Sequence, residues 1–339
     1  DRSPSRGLGD VYKRQVRERQ RAEINPMQYG TIVHYILERF FGEYTKKEYL
    51  SLEEDKFQKI VCAYLAEYAV KYFGEEQLES NSFTYRLKTI LDNVMYLMKH
   101  IMEELSQSEF FVADCELKIG EDIPSYTIVL PDGHKIAVCG SVDRVDIMQR
   151  ADVTYLRIID YKTGTKQFKL SDILYGINLQ MLLYLHSIEA SGGDKYGEIV
   201  PAGILYMPAT VPYISSDSLK SIDKLPDELN KKLKMNGLLL KDTEIIHGMD
   251  KTDVATYIPV KIKAGEPVSS TSLATLAEFG KIFKKVDMLI AEMGKNIYNG
   301  NIEAKPLKGG HDSCEYCPYD SVCAYRQSNP ITCFSVDNK

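Results

Sequence analysis

With 339 residues, 44% hydrophobic and 27% charged, the chain has the profile of a folded globular protein of one large domain or two small ones. It contains no apolar run long enough to span a bilayer and opens on no signal peptide, so membrane residence and secretion are not expected and the cytoplasm is the expected compartment. A net charge of −6 argues against broad non-specific nucleic-acid binding, so any contact with DNA has to come from a local basic path or a bound metal ion.

Residues 1–15 show no hydrophobic period and read like translated sequencing-adaptor sequence, to be set aside from the fold. Without their four basic and two acidic side chains the net charge is −8. The chain proper is expected to start at Val16, as a piece of a longer protein extending upstream. Helical spacing of Ile, Leu, Phe and Tyr predicts helices over 26–44, 52–72 and 85–105. Asn25 is placed to cap the first, with Pro26 at its first position, and Gly30 and His34 share a face.

Three β-branched runs then predict strands over 110–119, 135–148 and 154–161, with a turn at Pro131-Asp132-Gly133. A helix capped by Ser171 carries Gln180 and Tyr184 four apart, on a face with Ile177 and Ile188. A strand over 202–207 follows. Residues 209–252 are mixed and bear Pro and Lys, and they read as an insertion with no assigned function. A strand near 256–262 and a long helix over 272–297 lead to a cysteine-rich tail, residues 309–339, which is set apart from a main domain over 16–308. No internal repeat or low-complexity tract interrupts this α/β pattern.

Side chains alternate along a strand, so Asp160 and Lys162 point the same way, continuing the face of Leu156 and Ile158. Asp143 lies on the preceding strand. Two carboxylates suit a hard cation such as Mg²⁺ or Mn²⁺, and a lysine beside them can orient a water. That combination fits metal-assisted attack of water on a phosphodiester. An isolated D-x-K is more often a surface ion pair, and the Gly30–His34 and Gln180–Tyr184 pairs, each taken alone, are more often core packing. Lys162, Lys166 and Lys169 are candidates for a basic path, whereas Lys281, Lys284 and Lys285 read better as a solvated helix face.

In the tail, Cys314 and Cys317 form C-x-x-C and Cys323 follows six residues later. Thiolates at this spacing converge on zinc or on an iron-sulfur cluster, and the spacing alone does not choose between them. His311, three residues before Cys314, could complete a zinc site. A disulfide reading is weak, because the other four cysteines are scattered and nothing indicates secretion.

Taken together and in order, these elements resemble the RecB-like branch of the PD-(D/E)xK nuclease superfamily. The matches are G-x-x-x-H at Gly30 to His34, G-x-x-D-R-x-D at Gly140 to Asp146, D-Y-K-T-G at Asp160 to Gly164, and Q-x-x-x-Y at Gln180 to Tyr184. The resemblance implies a restriction-endonuclease-like core, a mixed central sheet flanked by helices. It implies that His34, Asp143, Asp160 and the Tyr161 carbonyl hold the metal, that Lys162 is the catalytic lysine, and that Gln180 and Tyr184 help to place the lysine and the DNA. Glu116 sits where relatives often carry a glutamate, without a firm role.

The C-x-x-C-P-Y-x-x-x-C tail narrows the likeness to the AddB-type subunits of AddAB helicase-nucleases. In that type a four-iron four-sulfur cluster is held by cysteines matching Cys314, Cys317 and Cys323, plus one upstream of the G-x-x-x-H helix. This chain has no cysteine before Cys62, so the family's first ligand has no counterpart. Cys333 and His311 are the nearby substitutes, but neither would clamp the two ends of the domain together as a distant cysteine does. The resemblance further implies exonuclease action on a single-stranded DNA end in double-strand break repair and recombination, with an AddA-type helicase-nuclease subunit as partner. CRISPR-associated RecB-like iron-sulfur exonucleases are the rival enzyme class, and a non-catalytic DNA-binding or scaffold module is the rival outside catalysis.

Overall fold

A computed structural model describes residues 24–164, 167–212, 214, 225–252, 254–269, 271–309, 312–315, 317–319, 323 and 331–333. The expectations placed on residues 1–23, Lys166 and His311 lie outside these. Three long helices come first, with single helical turns at Lys46–Leu50 and Glu75–Leu78 between them. Helix α1 (Pro26–Glu43) starts as its sequence dictates: the Asn25 side chain accepts from the Gln28 N–H, Gln28 returns the bond to the Asn25 N–H, and Pro26 occupies the first turn. It buries Ile32, Val33, Ile36, Leu37 and Phe40, one apolar stripe at helical spacing. Helix α2 (Glu54–Phe73) ends at Gly74, and α3 (Asn81–Gln107) starts four residues earlier than its apolar spacing predicts.

A six-stranded mixed sheet follows, its strands lying side by side in the order Phe111–Ile119, Gly140–Arg150, Val153–Lys162, Glu198–Pro208, Asn236–Leu240 and Leu273–Ala274. Strands β1 (Phe111–Ile119), β4 (Gly140–Arg150) and β5 (Val153–Lys162) are antiparallel neighbours. Strand β6 (Glu198–Pro208) lies parallel to β5, which requires a crossover, and α4 (Gln180–Ser191) supplies it. Helix α1 packs against β1 and β5, and α4 against β5 and β6.

The structure corrects several sequence expectations. The run 135–148 is two strands: it breaks at Cys139, and its first part, β3 (Lys135–Val138), pairs with β2 (Tyr126–Val129) in a separate hairpin. The expected turn closes that hairpin, with Gly133 at φ 88° donating to the Leu130 carbonyl. Ser171 caps no α-helix. It lies within a 3₁₀ segment (Leu170–Tyr175) that stops at left-handed Gly176, so α4 begins only at Gln180 and Ile177 stands outside it. The strand expected over 256–262 is confined to β8 (Lys261–Lys263), paired with β9 (Glu266–Val268).

Part of the segment read as an insertion is built into the core. Strand β7 (Asn236–Leu240) lies antiparallel to β6, and β10 (Leu273–Ala274) lies parallel to β7. Helix α5 (Leu276–Tyr298) opens on a capping box between Thr275 and Glu278. In the tail, β11 (Leu307–Gly309) and β12 (Ile331–Cys333) pair in parallel, so the three clustered cysteines lie on a segment whose ends are held together. Among the described residues no helix is long and apolar enough to cross a membrane.

One buried charge network braces the middle of the sheet. Arg144 and Arg157 are fully buried, as are Asp146 and Glu104. Arg144 grips both oxygens of Asp146 at 2.6 Å and reaches Glu104 at 3.2 Å, while Arg157 meets Glu104 at 2.6 Å and Asp146 at 2.8 Å. Two cations and two anions cancel, and the guanidinium groups also lie over the Phe41 and Phe110 rings.

Candidate active site

His34 is carried on α1, one turn after Gly30, and its ring nitrogens face an acid on β1 and an acid on β4. Its Nδ1 lies 3.1 Å from Glu116 Oε1 and its Nε2 lies 3.6 Å from Asp143 Oδ2. Asp143 Oδ2 also accepts the Tyr161 backbone N–H at 2.9 Å, so the first strand's acid is fixed by the second strand's backbone. Glu116 accepts from the Ser141 hydroxyl at 2.9 Å. The ligand atoms of His34, Glu116 and Asp143 all lie within 4.8 Å of one another, the one such set of histidine, cysteine and acid groups among the described residues.

Asp160 and Lys162 point the same way, as alternation on β5 predicts, with Lys162 Nζ 2.6 Å from Asp160 Oδ2. That oxygen is buried and has no well-aligned hydrogen bond, so only the lysine's charge compensates it. Lys162, His34, Glu116, Ser141 and Tyr161 line a cavity of about 720 Å³. Gly30 lies on the same wall, where a Cβ would meet the Thr163 methyl at an ordinary 3.6 Å.

The electrostatics follow from crowding acids in a half-enclosed site. Burial pushes the Asp143 carboxyl up to about 6, with Asp160 and Glu116 adding repulsion against the pull of His34 and the Tyr161 N–H. Burial alone would lower His34, but the Glu116 hydrogen bond and the charges of Asp143 and Glu116 outweigh it and leave the imidazole raised. The His34 hydrogen bond, helped by Ser141, holds Glu116 below the usual carboxylate range despite burial. An acid destabilised as an anion, beside another whose buried oxygen has only a lysine for company, makes a place where added positive charge is welcome. Carboxylates with one imidazole suit Mn²⁺ or Mg²⁺, so the donor set fits the divalent ion expected from the sequence.

Of the residues singled out in the sequence, His34, Asp143, Asp160, Tyr161 and Lys162 come together here. Gln180 and Tyr184 share a weak 3.4 Å hydrogen bond and, like Asp143 and Asp160, are not among the residues lining the cavity. The Tyr184 phenol fills the space over Gly140, where a Cβ would lie 2.2 Å from its oxygen. The residue whose part was missed is Glu116. It takes a left-handed φ of 50°, and no strand pattern forecasts that. In the tail, Cys314, Cys317 and Cys323 are free thiols on successive turns: the Cys317 N–H donates to the Cys314 carbonyl and the Cys323 N–H to Tyr319. They fall outside the 4.8 Å grouping, which a cluster whose sulfurs bind different irons does not require. Lys281 and Lys284 are exposed on α5, as a solvated helix face would be.

The comparisons with known proteins agree with this geometry. Residues 11–324 match the PD-(D/E)XK nuclease superfamily, and the chain belongs to that family. Among curated relatives it is similar to the B subunit of the ATP-dependent helicase/deoxyribonuclease from Thermoanaerobacter sp. (strain X514), 33% identical over 326 residues. It is likewise similar to the proteins of that name from Ruminiclostridium cellulolyticum (32% over 335 residues) and Alkaliphilus oremlandii (32% over 331 residues). These alignments cover 93%, 94% and 94% of this chain but 28% of each relative, so the chain spans little more than a quarter of their length. The expected likeness to the B subunits of helicase-nucleases is met, and the CRISPR-associated alternative is not favoured.

Proposed function

We propose that this chain is the nuclease module of a helicase-nuclease, hydrolysing phosphodiester bonds of single-stranded DNA with Mg²⁺ or Mn²⁺ in the repair and recombination of double-strand breaks. The observation that carries the reading is the meeting of His34, Glu116 and Asp143 within 4.8 Å beside the Asp160–Lys162 pair, at one end of the sheet. His34, Asp143, Asp160 and the Tyr161 carbonyl would hold the ion, with Glu116 as a further donor. When bound, the ion supplies Lewis-acid stabilisation of charge developing on the phosphate and a lowered pKa for water.

The chain's own groups do the rest. Asp160 holds the Lys162 ammonium in place, and that ammonium orients the water for in-line attack on phosphorus. The P–O3′ bond breaks as the new P–O bond forms, which leaves a 3′ hydroxyl and a 5′ phosphate. The Tyr161 N–H and the Glu116–His34 hydrogen bond keep Asp143 and the imidazole in position, so little reorganisation is left for the reaction.

The same reading assigns Cys314, Cys317 and Cys323 to a four-iron four-sulfur cluster, supported by their spacing and by the turns on which they sit. It takes an AddA-type helicase-nuclease subunit as partner, supported by the names of the relatives, and a cytoplasmic location. The test is Lys162→Ala in the whole chain with labelled single-stranded DNA and Mg²⁺: cleavage is expected to vanish while the circular dichroism spectrum stays that of the folded protein. Cleavage at the wild-type rate would sink the assignment.

A further inference from the structure

The cavity has a second half that the chemistry above does not use. Beyond His34 and Lys162 its wall is built from Tyr35 on α1 and Tyr68 and Tyr72 on α2. Tyr68 and Tyr72 are four apart on one helix face, with ring centroids 4.4 Å apart and planes inclined by 35°. Tyr35 meets Tyr68 edge-on at 5.3 Å and is anchored through its hydroxyl to Glu67 at 2.7 Å. Tyr68 is therefore fixed from both sides and only 5% exposed, whereas Tyr72 is 55% exposed. Tyr72 presents a ring braced by Tyr68 and open to the cavity. Met27, 80% exposed, lies on the wall as well, and the Lys71 ammonium stands 5.0 Å from the Tyr72 ring.

Charge divides the cavity. Lys162 lines the part next to the acids, where a phosphate can be held, and Lys118, whose ammonium pairs with Glu121 at 3.0 Å, lines the same cavity. Glu38 lines the same wall as Tyr35, and its carboxylate disfavours a phosphate there while leaving an uncharged, flat group welcome. A nucleotide offers both parts, a phosphate and a base. The bland alternative is that Tyr68 and Tyr72 are simply an i,i+4 aromatic pair on a helix surface. It accounts for their mutual contact but not for the half-open ring facing the catalytic lysine's cavity.

We propose that Tyr72, backed by Tyr68, is a stacking platform for an unpaired base of the strand whose phosphate lies at the Lys162 end, and that it makes the site select single-stranded over duplex DNA. This rests on the nuclease reading above. Every base has a π-face, so such a platform tolerates any sequence, but a base stacked and paired inside a duplex has no free face to offer. Tyr72 is a positioning residue, placed to register the strand rather than to touch the reacting atoms.

The test uses the whole chain in EDTA, where DNA is bound without being cut. The probes are fluorescein-labelled oligothymidylate and the same backbone with abasic sites throughout, read by anisotropy. Tyr72→Ala is expected to weaken binding of the thymidylate by roughly tenfold, within the range found for removing one base-stacking ring. It should leave the abasic strand's affinity unchanged, and Tyr72→Phe should bind both as wild type does. Equal losses on both probes, or no loss on either, would overturn the platform while leaving the nuclease reading intact. Lys162→Ala separates the two ideas: it should keep the wild-type preference for thymidylate over the abasic strand yet fail to cut when Mg²⁺ is restored. If it cuts as wild type does, the nuclease reading goes and the platform goes with it.

Discussion

Glu116 Oε1 lies 3.1 Å from His34 Nδ1, on the side of the ring away from Asp143. With its proton on Nδ1 the ring donates to Glu116, and Nε2, on the Asp143 side, is the nitrogen that would face a bound ion. A carboxylate that fixes the tautomer of a histidine ligand is a recurring support of metal sites. Glu116→Gln is therefore expected to weaken Mn²⁺ binding by about 10- to 100-fold, as loss of such support does elsewhere, with the fold retained. Titration calorimetry against wild type measures this, and an unaltered affinity would remove Glu116 from the site.

The buried quartet makes a prediction about stability rather than chemistry. Arg144→Ala strands Glu104 and Asp146 as buried anions with half their compensation gone, which costs about 3–5 kcal/mol where it has been measured in other proteins. Urea unfolding should show a lower midpoint at unchanged slope. A midpoint within error of wild type would mean that the quartet carries no net stability.

His186 predicts a pH dependence away from the active site. It is stacked on Phe283 at 4.5 Å and meets Glu189 on its own helix, Tyr126 on β2 and Asp287 on α5, all at 3.2–3.3 Å. Burial would lower its pKa, but the two acids win and leave it above 6.5. A group raised in the folded state stabilises fully below its unfolded pKa and loses that contribution as pH climbs through the folded value. The melting-temperature gap between wild type and His186→Gln should accordingly be widest in mild acid and narrow as the pH climbs through the imidazole's raised folded value. A gap that does not change with pH would refute the ion-pair account.

What could be read in the sequence divides along physical lines. Asp160 and Lys162 were legible as a pair because strand alternation fixes their common direction, and His34 and Asp143 were legible only through the family resemblance, each motif alone reading better as an ion pair or core packing. Glu116 was not, since its role depends on a backbone conformation that is rare for a non-glycine residue. The break at Cys139 was hidden in a continuous β-branched run, because pairing partners and not propensity decide where that strand leaves one sheet for another. Strand β7, which opens on Asn236-Gly237, was masked by the mixed, Pro- and Lys-bearing composition of the segment around it. Gly237 passes so close to Ile204 that a Cβ would lie 2.0 Å from its carbonyl oxygen, so the glycine serves backbone proximity.

Tyr161 touches both systems: its N–H holds Asp143, and its hydroxyl stands 3.5 Å from Arg144. On the proposed nuclease reading, the D-R-x-D stretch at 143–146 is thus half reagent and half masonry. A lineage that no longer needed cleavage could discard Asp143 and remain folded, whereas it could not discard Arg144 or Asp146 so easily. The two halves of the motif should erode at different rates in silent descendants. Finding the arginine and second acid intact in a distant sequence would then attest to the sheet alone, and only the first acid and Lys162 would attest to the chemistry.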